Sequence, residues 1–412
     1  MQNFRNFAFA FARTRPRRAA CRFWQTGHVP DESNPVAPPA GTPASASASV
    51  FSTGKVTPEL ILHRAARIED AIHEFRENRA RKRGYRTTVI PYTGYGSTSW
   101  VRVLSRVLLT RDRKPRRKLP LIGRRDEMVR GWRSFTAVPI NDVEVTVTVD
   151  GTIHHVSADR GGVVDATIPA NLEPGWHSIL LQAEDSDIVE APIFIIDPAA
   201  KFGVVSDIDD TVMVTTLPRP FLAAWNTFVL DEHARVPTPG MAVLLDRLAS
   251  THPGSPTIYL STGAWNVAPT LTRFLSRNLY PPGPLLLTDW GPTHDRLFRS
   301  GRQHKRDNLH RLALEFPATK WLLVGDDGQH DEEIYGEFEQ QHPDSVAAIA
   351  IRQLSPSEAV LAGGRSKAES MAERSQAHWM FSPDGSGLAA QLTLLGLLQK
   401  RPPMMNRTPL DG

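Results

Sequence analysis

Apolar and polar positions alternate along residues 86–196, which is the period expected for half-buried β-strands. The alternation is clearest over 143–149, and Asp150-Gly151 then predicts a tight turn into a second strand over 152–156. Further short strands are predicted at 162–168, 176–183 and 189–196. About six short strands separated by turn residues predict a small β-sandwich domain over residues 86–197.

From residue 201 onward, apolar strand segments alternate with segments of helical period. Strands are predicted at 202–207, 257–262, 284–288, 320–326 and 346–351, and helices at 241–250, 266–278, 307–315 and 331–341. This alternation predicts an α/β fold, with a doubly wound, mostly parallel sheet in a domain over 201–355. The segment 212–238 is longer than a plain crossover needs, so we expect it to fold over the strand ends as a flap.

Weaker patterns flank these two regions. Residues 1–56 are rich in Pro, Ala and Ser and are predicted to be disordered. Apolar residues at spacings of three and four predict a helix within 57–85, begun by Thr57 and Pro58. Residues 356–412 are predicted to form a C-terminal extension with one amphipathic helix, at 387–399.

The composition of the 412-residue chain is that of a globular protein of two or three domains, with 41% hydrophobic and 22% charged residues. No stretch reaches the roughly 18 apolar residues of a membrane span. The single cysteine, Cys21, excludes an internal disulfide and predicts a reducing, cytoplasmic location. The first 25 residues are Arg-rich, somewhat like a transit peptide, but a disordered or over-long start is favoured.

The net charge of +4 is unevenly distributed, and residues 111–118 are dense in Arg and Lys. One hypothesis is that this segment contacts anionic lipid, so that the protein associates peripherally with a membrane. The alternative, slightly favoured, is a solvated basic loop. No nucleic-acid partner and no particular protein partner is expected.

The most informative chemistry lies at the end of the first predicted strand of the α/β region, where the chain reads Asp207-Ile-Asp209-Asp-Thr211. One carboxylate of such a pair can attack phosphorus, and the other can act as acid and then as base. A divalent cation is needed to bring an anionic nucleophile to an anionic phosphate, and Mg²⁺ suits a site of oxygen ligands. The alternative is an acidic turn at the start of a helix.

Three further candidate sites fall at or beside predicted strand ends. The hydroxyl of Ser261 and the backbone N–H groups near Thr262 and Gly263 could hold phosphate oxygens, although many strands end in Ser or Thr. Lys305 could neutralise the phosphate, or belong to a solvated basic face where a helix starts.

The last predicted strand end in this set carries several acids, in Gly325-Asp326-Asp327-Gly328 and at Asp331. Asp326 is predicted to be a direct metal ligand. Asp331 would coordinate through water or orient Lys305, and the alternative is a helix cap alone. The candidate metal ligands are therefore Asp207, Asp209, Asp326, Asp327 and Asp331.

The order of these four sites resembles the haloacid dehalogenase-like phosphohydrolases. Over residues 85–355 the chain is further similar to the actin-patch-protein type of phosphatidate phosphatase catalytic domain. The residues that carry this resemblance are Asp207–Thr211, Arg219-Pro220, Tyr259–Ser261, Trp265-Asn266, Asp289–Gly291, His304-Lys305, Gly325-Asp326 and Gln329–Asp331, with Pro91–Gly96 and Val101–Val103 upstream.

The resemblance implies a Mg²⁺-dependent phosphatase that converts phosphatidic acid to diacylglycerol and phosphate. The expected partner is therefore phosphatidic acid or another phospholipid substrate. It assigns the nucleophile and the acid/base to Asp207 and Asp209, the hydroxyl to Ser261, the lysine to Lys305 and a metal-site acid to Asp326. Family members often carry Gly-Asp-Ser-Gly where this chain has Asp327, and a Ser-x-Ser-Pro-Trp form where it has 261–265. Because of these departures, the resemblance specifies the type of reaction more firmly than the identity of the substrate.

Several roles remain open at this stage. Arg219 could contact the lipid phosphate or be a surface arginine, and Trp265, with Trp225 and Trp290, could line the substrate site or pack in the core. A soluble phosphate monoester is the alternative substrate. A third hypothesis is a non-enzymatic adaptor that uses the basic segments, but an adaptor has no need of all four sites.

Overall fold

Two large β-sheets organise the part of the chain that the structure, a computed structural model, describes. The described residues are 72–111, 137–214, 235–288, 294–328, 330–361 and 375–400. They all belong to one unit, Ile61–Gly412. The predicted disordered segment 1–56, most of the predicted flap and all but one residue of the basic segment 111–118 lie outside the described residues.

The first sheet has nine strands, all drawn from the region in which alternation was observed. They are β1 (Tyr85–Pro91), β2 (Gly94–Ser97), β3 (Trp100–Arg111), β4 (Val138–Pro139), β5 (Glu144–Val149), β6 (Thr152–Ser157), β7 (Val163–Pro169), β8 (Gly175–Ala183) and β9 (Val189–Ile195). The order is β1-β3-β2-β9-β8-β5-β6, and β4 and β7 also pair with β3. Only β2 and β9 pair in parallel. All nine strands are therefore hydrogen-bonded into one sheet, and the sandwich arrangement stays a prediction.

The second sheet has six strands, all parallel, in the order β14-β13-β10-β15-β16-β17. These strands are β10 (Phe202–Asp207), β13 (Thr257–Ala264), β14 (Leu285–Thr288), β15 (Lys320–Asp326), β16 (Val346–Arg352) and β17 (Trp379–Ser382). A short antiparallel pair, β11 (Met213–Val214) and β12 (Val236–Pro237), joins the two ends of the predicted flap. The predicted α/β class and parallel sheet are confirmed, while the doubly wound arrangement stays a prediction.

Helices connect the parallel strands. They are α1 (Met241–Thr251), α2 (Ala268–Arg277), α3 (His294–Glu315), α4 (Asp331–Gln341), α5 (Pro356–Leu361) and α6 (Gly385–Leu394), and residues 72–82 are also helical. Among the described residues, none of the helices is long and apolar enough to cross a membrane.

Several elements differ from the sequence prediction. Helix α3 begins at His294, well before the predicted 307. The extension 356–412 contains α5 and the edge strand β17 as well as the predicted helix. Strand β17 was not predicted, because its four residues are too few to show a period. Helix α6 ends at Leu394 instead of 399, because Gly396 has φ of 75° and the N–H of Leu397 returns to the carbonyl of Leu392, a glycine-based helix stop.

The two large sheets share a hydrophobic core. Every residue of β10 is buried, as expected for a central parallel strand that is covered on both faces. Side chains of the first sheet are buried in the same cluster as those of the second; they are Tyr92, Tyr95, Leu104, Val163, Phe194 and Ile196. A second cluster lies within the first sheet and its loops. The first sheet therefore packs directly against the sheet that carries the predicted chemistry.

Candidate active site

The candidate site lies at the carboxyl ends of the central parallel strands. Strand β10 runs between β13 and β15, and Asp207 and Asp326 are the last residues of β10 and β15. Ser261 reaches the same edge because Asp207 pairs with Leu260, the residue before it. Open α/β sheets bind ligands in the crevice outside these strand ends. Three of the four predicted sites therefore meet at one edge.

Lys305 reaches this edge from the interior of helix α3, not from a position beside a strand end. Its side chain is 3% exposed, and its Nζ lies 2.6 Å from Asp207 Oδ1 and 2.5 Å from Asp331 Oδ1. Burial lowers the pKa of Lys305, but the two carboxylates outweigh burial and raise the pKa above its ordinary value. Lys305 is therefore a buried cation between two carboxylates.

Asp331 is the first residue of α4. The capping position belongs to His330, which makes no side-chain hydrogen bond to the helix end. The Asp331 carboxylate instead accepts a hydrogen bond from Lys305, which is one of the roles predicted for it. A side chain at Gly325 would prevent this arrangement, because its Cβ would lie 2.7 Å from Asp331 Oδ2. Gly325 thus allows α4 to start close to the end of β15.

Asp207, Asp326 and Asp331, here called the acidic cluster, each have one carboxylate oxygen that lies within 4.8 Å of an oxygen of the other two. Within the described part of the chain, the Oδ2 atom of each is buried without a hydrogen-bond partner. Burial raises the pKa of Asp207 and Asp326 well above the ordinary value, and neighbouring acids add to the effect, although Lys305 opposes it. Unpaired buried carboxylate oxygens are costly. The cluster therefore fits a hard divalent cation such as Mg²⁺.

Asp209 has different partners. Its Oδ2 accepts a hydrogen bond of 2.9 Å from Ser261 Oγ, which in turn accepts one of 3.0 Å from the N–H of Gly263. Burial raises the pKa of Asp209 to about 6, against the hydrogen bond from Ser261, which lowers it. A carboxyl group with that pKa exchanges a proton readily near neutral pH, as a general acid and base requires.

The turn between Asp209 and β11 is held by a residue that the sequence analysis missed. Asp210 has a positive φ of 58°, and its carbonyl accepts a 2.7 Å hydrogen bond from the buried guanidinium of Arg352. Arg352 is held in turn by Glu358 at 2.7 Å. From the sequence alone, an arginine such as Arg352 at the end of a strand is expected to lie at the surface. Its contact with Asp210 becomes evident only from the packing of β16 beside β15.

The other predicted site residues occupy varied positions. Thr211 is fully buried within the turn, and Thr262 is exposed beside Ser261. Trp265 is packed in the core, which was the alternative to a wall of the substrate site. Asp327 lies outside the acidic cluster, and its Oδ1 accepts a hydrogen bond from the N–H of Leu354. Arg219, Trp225 and Trp290 lie outside the described residues.

Comparisons with known proteins agree with this geometry. Residues 202–353 match the family described as the catalytic domain of phosphatidate phosphatase APP1. Phosphatidate phosphatase APP1 of Saccharomyces cerevisiae is 29% identical over 152 residues, which are 36% of this chain and 25% of that protein. An uncharacterized protein of Schizosaccharomyces pombe is 25% identical over 208 residues, 47% of this chain and 33% of that protein. The matches thus span about a quarter to a third of these relatives.

The solved structures that align with this chain are too dissimilar to support a conclusion about its fold. A carbohydrate acetylesterase from Xanthomonas citri aligns with 71% of this chain and 68% of its own at 10% identity, but with a TM-score of only 0.25. The matched family region, by contrast, contains Asp207, Asp209, Ser261, Lys305 and the rest of the acidic cluster. The first sheet lies entirely before it.

Proposed function

We propose, from the premise that residues 202–353 form a catalytic domain of the phosphatidate phosphatase APP1 type, that this protein is a haloacid dehalogenase-like phosphatase that hydrolyses phosphatidic acid to diacylglycerol and phosphate. The observation that carries the proposal is the convergence of Asp207, Asp209, Lys305 and Asp326 on one edge of the parallel sheet. Three segments far apart in sequence have no structural reason to share a buried, highly charged pocket. Such groups cluster where chemistry needs them.

Mg²⁺ is the cation we propose for the acidic cluster. Asp207, Asp326 and Asp331 would hold it, because their unpartnered Oδ2 atoms supply the hard oxygen ligands that it prefers. Bound there, it would neutralise charge on the transferring phosphoryl group. We do not extend this role to Asp327, whose carboxylate already accepts a backbone hydrogen bond.

In the first chemical step, a carboxylate oxygen of Asp207 attacks the phosphorus of the monoester. The bond between phosphorus and the glycerol oxygen breaks, and Asp209 donates its proton to that oxygen, so that diacylglycerol leaves. The product on the protein is an aspartyl-phosphate at Asp207. Lys305 compensates the negative charge beside the nucleophile, since its Nζ lies 2.6 Å from Asp207.

In the second step, Asp209 takes a proton from a water molecule that attacks the phosphorus. The bond to the Asp207 oxygen breaks, phosphate leaves, and the carboxylate is restored. Ser261 keeps Asp209 oriented through the 2.9 Å hydrogen bond. Backbone N–H groups beside Ser261 would hold phosphate oxygens.

The test is phosphate release from phosphatidic acid in mixed micelles, compared with soluble phosphate monoesters, with Mg²⁺ or with a chelator. Asp207→Asn should abolish release, and Asp344→Asn, which changes an exposed aspartate, should leave it unchanged. Activity on soluble monoesters with none on the lipid would reject the substrate and retain the reaction. The absence of release from every substrate would reject both.

A further inference from the structure

The segment Pro91–Gly96 and the adjoining 101–103 lie outside the region that matches the catalytic-domain family, and the proposed chemistry gives them no role. In the structure this segment connects β1 to β3 at the side of the first sheet that faces the parallel sheet. Tyr92 and Tyr95 from this segment are buried in the core that the two sheets share. Two of their contacts are with elements that carry catalytic residues.

The first contact is between Tyr92 and Trp265. The two rings are stacked, with centroids 4.8 Å apart and planes inclined by 17°. The Tyr92 hydroxyl also donates a 3.1 Å hydrogen bond to the carbonyl of Trp265. Both residues are buried, at 6% and 5% exposure. One tyrosine thus fixes both the ring and the backbone of Trp265.

Trp265 follows closely on Ser261–Gly263, the irregular end of β13, here called the Ser261–Gly263 loop. Strand β13 is irregular here, because its pairing with β14 shifts register between Leu260 and Ala264. The Thr288 hydroxyl bonds the carbonyls of Thr262 and Gly263, but it fixes only one side of the loop. A cavity of about 410 Å³ borders Trp265 and His304, so close packing is incomplete beside Trp265.

The second contact lies on helix α3. The Tyr95 hydroxyl donates a 2.8 Å hydrogen bond to Glu315, the last residue of the helix, and Arg102 lies 3.4 Å from the same carboxylate. Lys305 is on the same helix, about 15 Å away along its axis. This contact is remote from the chemistry, so it supports the helix and not the lysine itself.

We propose that Tyr92 is a positioning residue for the reaction. It acts through Trp265, by holding the Ser261–Gly263 loop where Ser261 orients Asp209. The kinetic part of this inference rests on the proposed function, but the structural part does not. Tyr92 does not touch the reacting groups, and its loss should lower the rate of chemistry more than the affinity for substrate.

The experiment compares Tyr92→Leu and Tyr92→Phe with Tyr85→Leu, all in the full-length protein. Tyr85 begins β1, the strand that ends just before Tyr92, and it packs against the other core cluster, so its substitution is a matched control. Backbone hydrogen exchange is measured at 261–267 and, for reference, at 202–207. Phosphate release from phosphatidic acid and from a soluble monoester is measured in Mg²⁺.

For Tyr92→Leu we expect exchange at 261–267 to be at least about tenfold faster with 202–207 unchanged, because the loop loses its anchor. We expect kcat to fall about 10- to 100-fold, since small misplacements of catalytic groups cost that much, with KM within about twofold. Tyr92→Phe keeps the stacked ring and should recover most of the loss. Tyr85→Leu should match the wild type at 261–267.

Unchanged exchange at 261–267 in Tyr92→Leu would overturn the inference, whatever the activities. An equal loss of kcat in Tyr85→Leu would also overturn it, because the effect would then be one of general stability. If the wild type releases no phosphate from any substrate, the proposed function fails, and the exchange result alone decides whether Tyr92 positions the loop.

Discussion

Lys305 is the residue on which the charge balance of the site depends. It is buried between the carboxylates of Asp207 and Asp331, with nitrogen–oxygen distances of 2.6 and 2.5 Å. Removing one partner of a buried ion pair leaves the other charge uncompensated, which is far more costly than losing a surface pair. Lys305 and the carboxylates of Asp207 and Asp331 therefore stabilise one another inside the site.

We expect Lys305→Met to lower the free energy of unfolding by about 3–5 kcal/mol in the presence of a chelator. Lys320→Met, at an exposed position where β15 begins, should change it by less than about 0.5 kcal/mol. Urea unfolding measures both variants. Equal stability of the two variants would contradict the buried ion-pair arrangement.

The pKa of Asp209 predicts a pH dependence of stability. The value is about 6 in the folded protein, against 3.8 for an ordinary aspartate, so the folded state binds the proton more tightly than the unfolded chain. The stability from this group is fully present below pH 4 and is lost as the pH rises through 6. In a chelator, Asp209→Asn should therefore lose less stability than the wild type between pH 4 and 7. The urea concentration at the midpoint of unfolding is measured for both proteins across this pH range. If the two proteins show the same pH dependence of this midpoint, the raised pKa of Asp209 is contradicted.

The residues of the site differ in how far a sequence reveals them. Asp207 and Asp326 end apolar strands, and Ser261 lies near the end of another. Parallel strands bring their ends to one edge, so the meeting of these residues could be predicted. That Lys305 lies between Asp207 and Asp331 depends on how two helices pack, which no local pattern encodes. Tyr92 has the appearance of an ordinary strand aromatic, and its role is visible only across the contact between the sheets.

At the scale of elements, the close approach of β15 and α4 determines where Asp331 lies. A Cβ at Gly325 would meet Asp331 and the ring of Tyr335, both at 2.8 Å or less. A glycine at the end of the strand therefore lets the helix start within reach of Lys305. The helix α3 that carries Lys305 was predicted too short, because its first turns lack a clear apolar stripe.

We expect Gly325→Ala to destabilise the protein by about 1–3 kcal/mol through overpacking. It should also reduce phosphate release, because Asp331 is pushed away from Lys305. Gly161→Ala is the control, since its nearest neighbour, Asp159 Oδ1, would be 3.3 Å away, in a loop distant in sequence from the acidic cluster. Urea unfolding and phosphate release are measured for both. A fully active Gly325→Ala variant would show that Asp331 is dispensable.

In the molecule as a whole, the two large sheets share one hydrophobic core. The sequence predicted separate domains over 86–197 and 201–355, from the change of period near residue 200. The change in hydrophobic period near residue 200 shows where one type of architecture gives way to another. It does not show which faces of the two sheets pack against each other. The shared core, which includes Tyr95 and Leu104 of the first sheet, argues for mutual stabilisation.

A chain that begins at residue 200 should therefore unfold at a lower urea concentration than the full chain, or aggregate, because it exposes apolar surface that the first sheet covers. A chain that begins at residue 57 is the control, and it should unfold like the full chain if residues 1–56 are disordered. Urea unfolding measures both. A stable chain from residue 200 would support the independent domain that the sequence predicted.

The most direct test of the central claim is to identify the residue that becomes phosphorylated. Enzyme mixed with phosphatidic acid carrying a labelled phosphate group in Mg²⁺ is quenched with acid after milliseconds to seconds, and the labelled peptide is mapped. We predict label on Asp207, absent in the Asp207→Asn variant. Phosphate released by that variant at the wild-type rate, or label confined to another residue, would contradict the account.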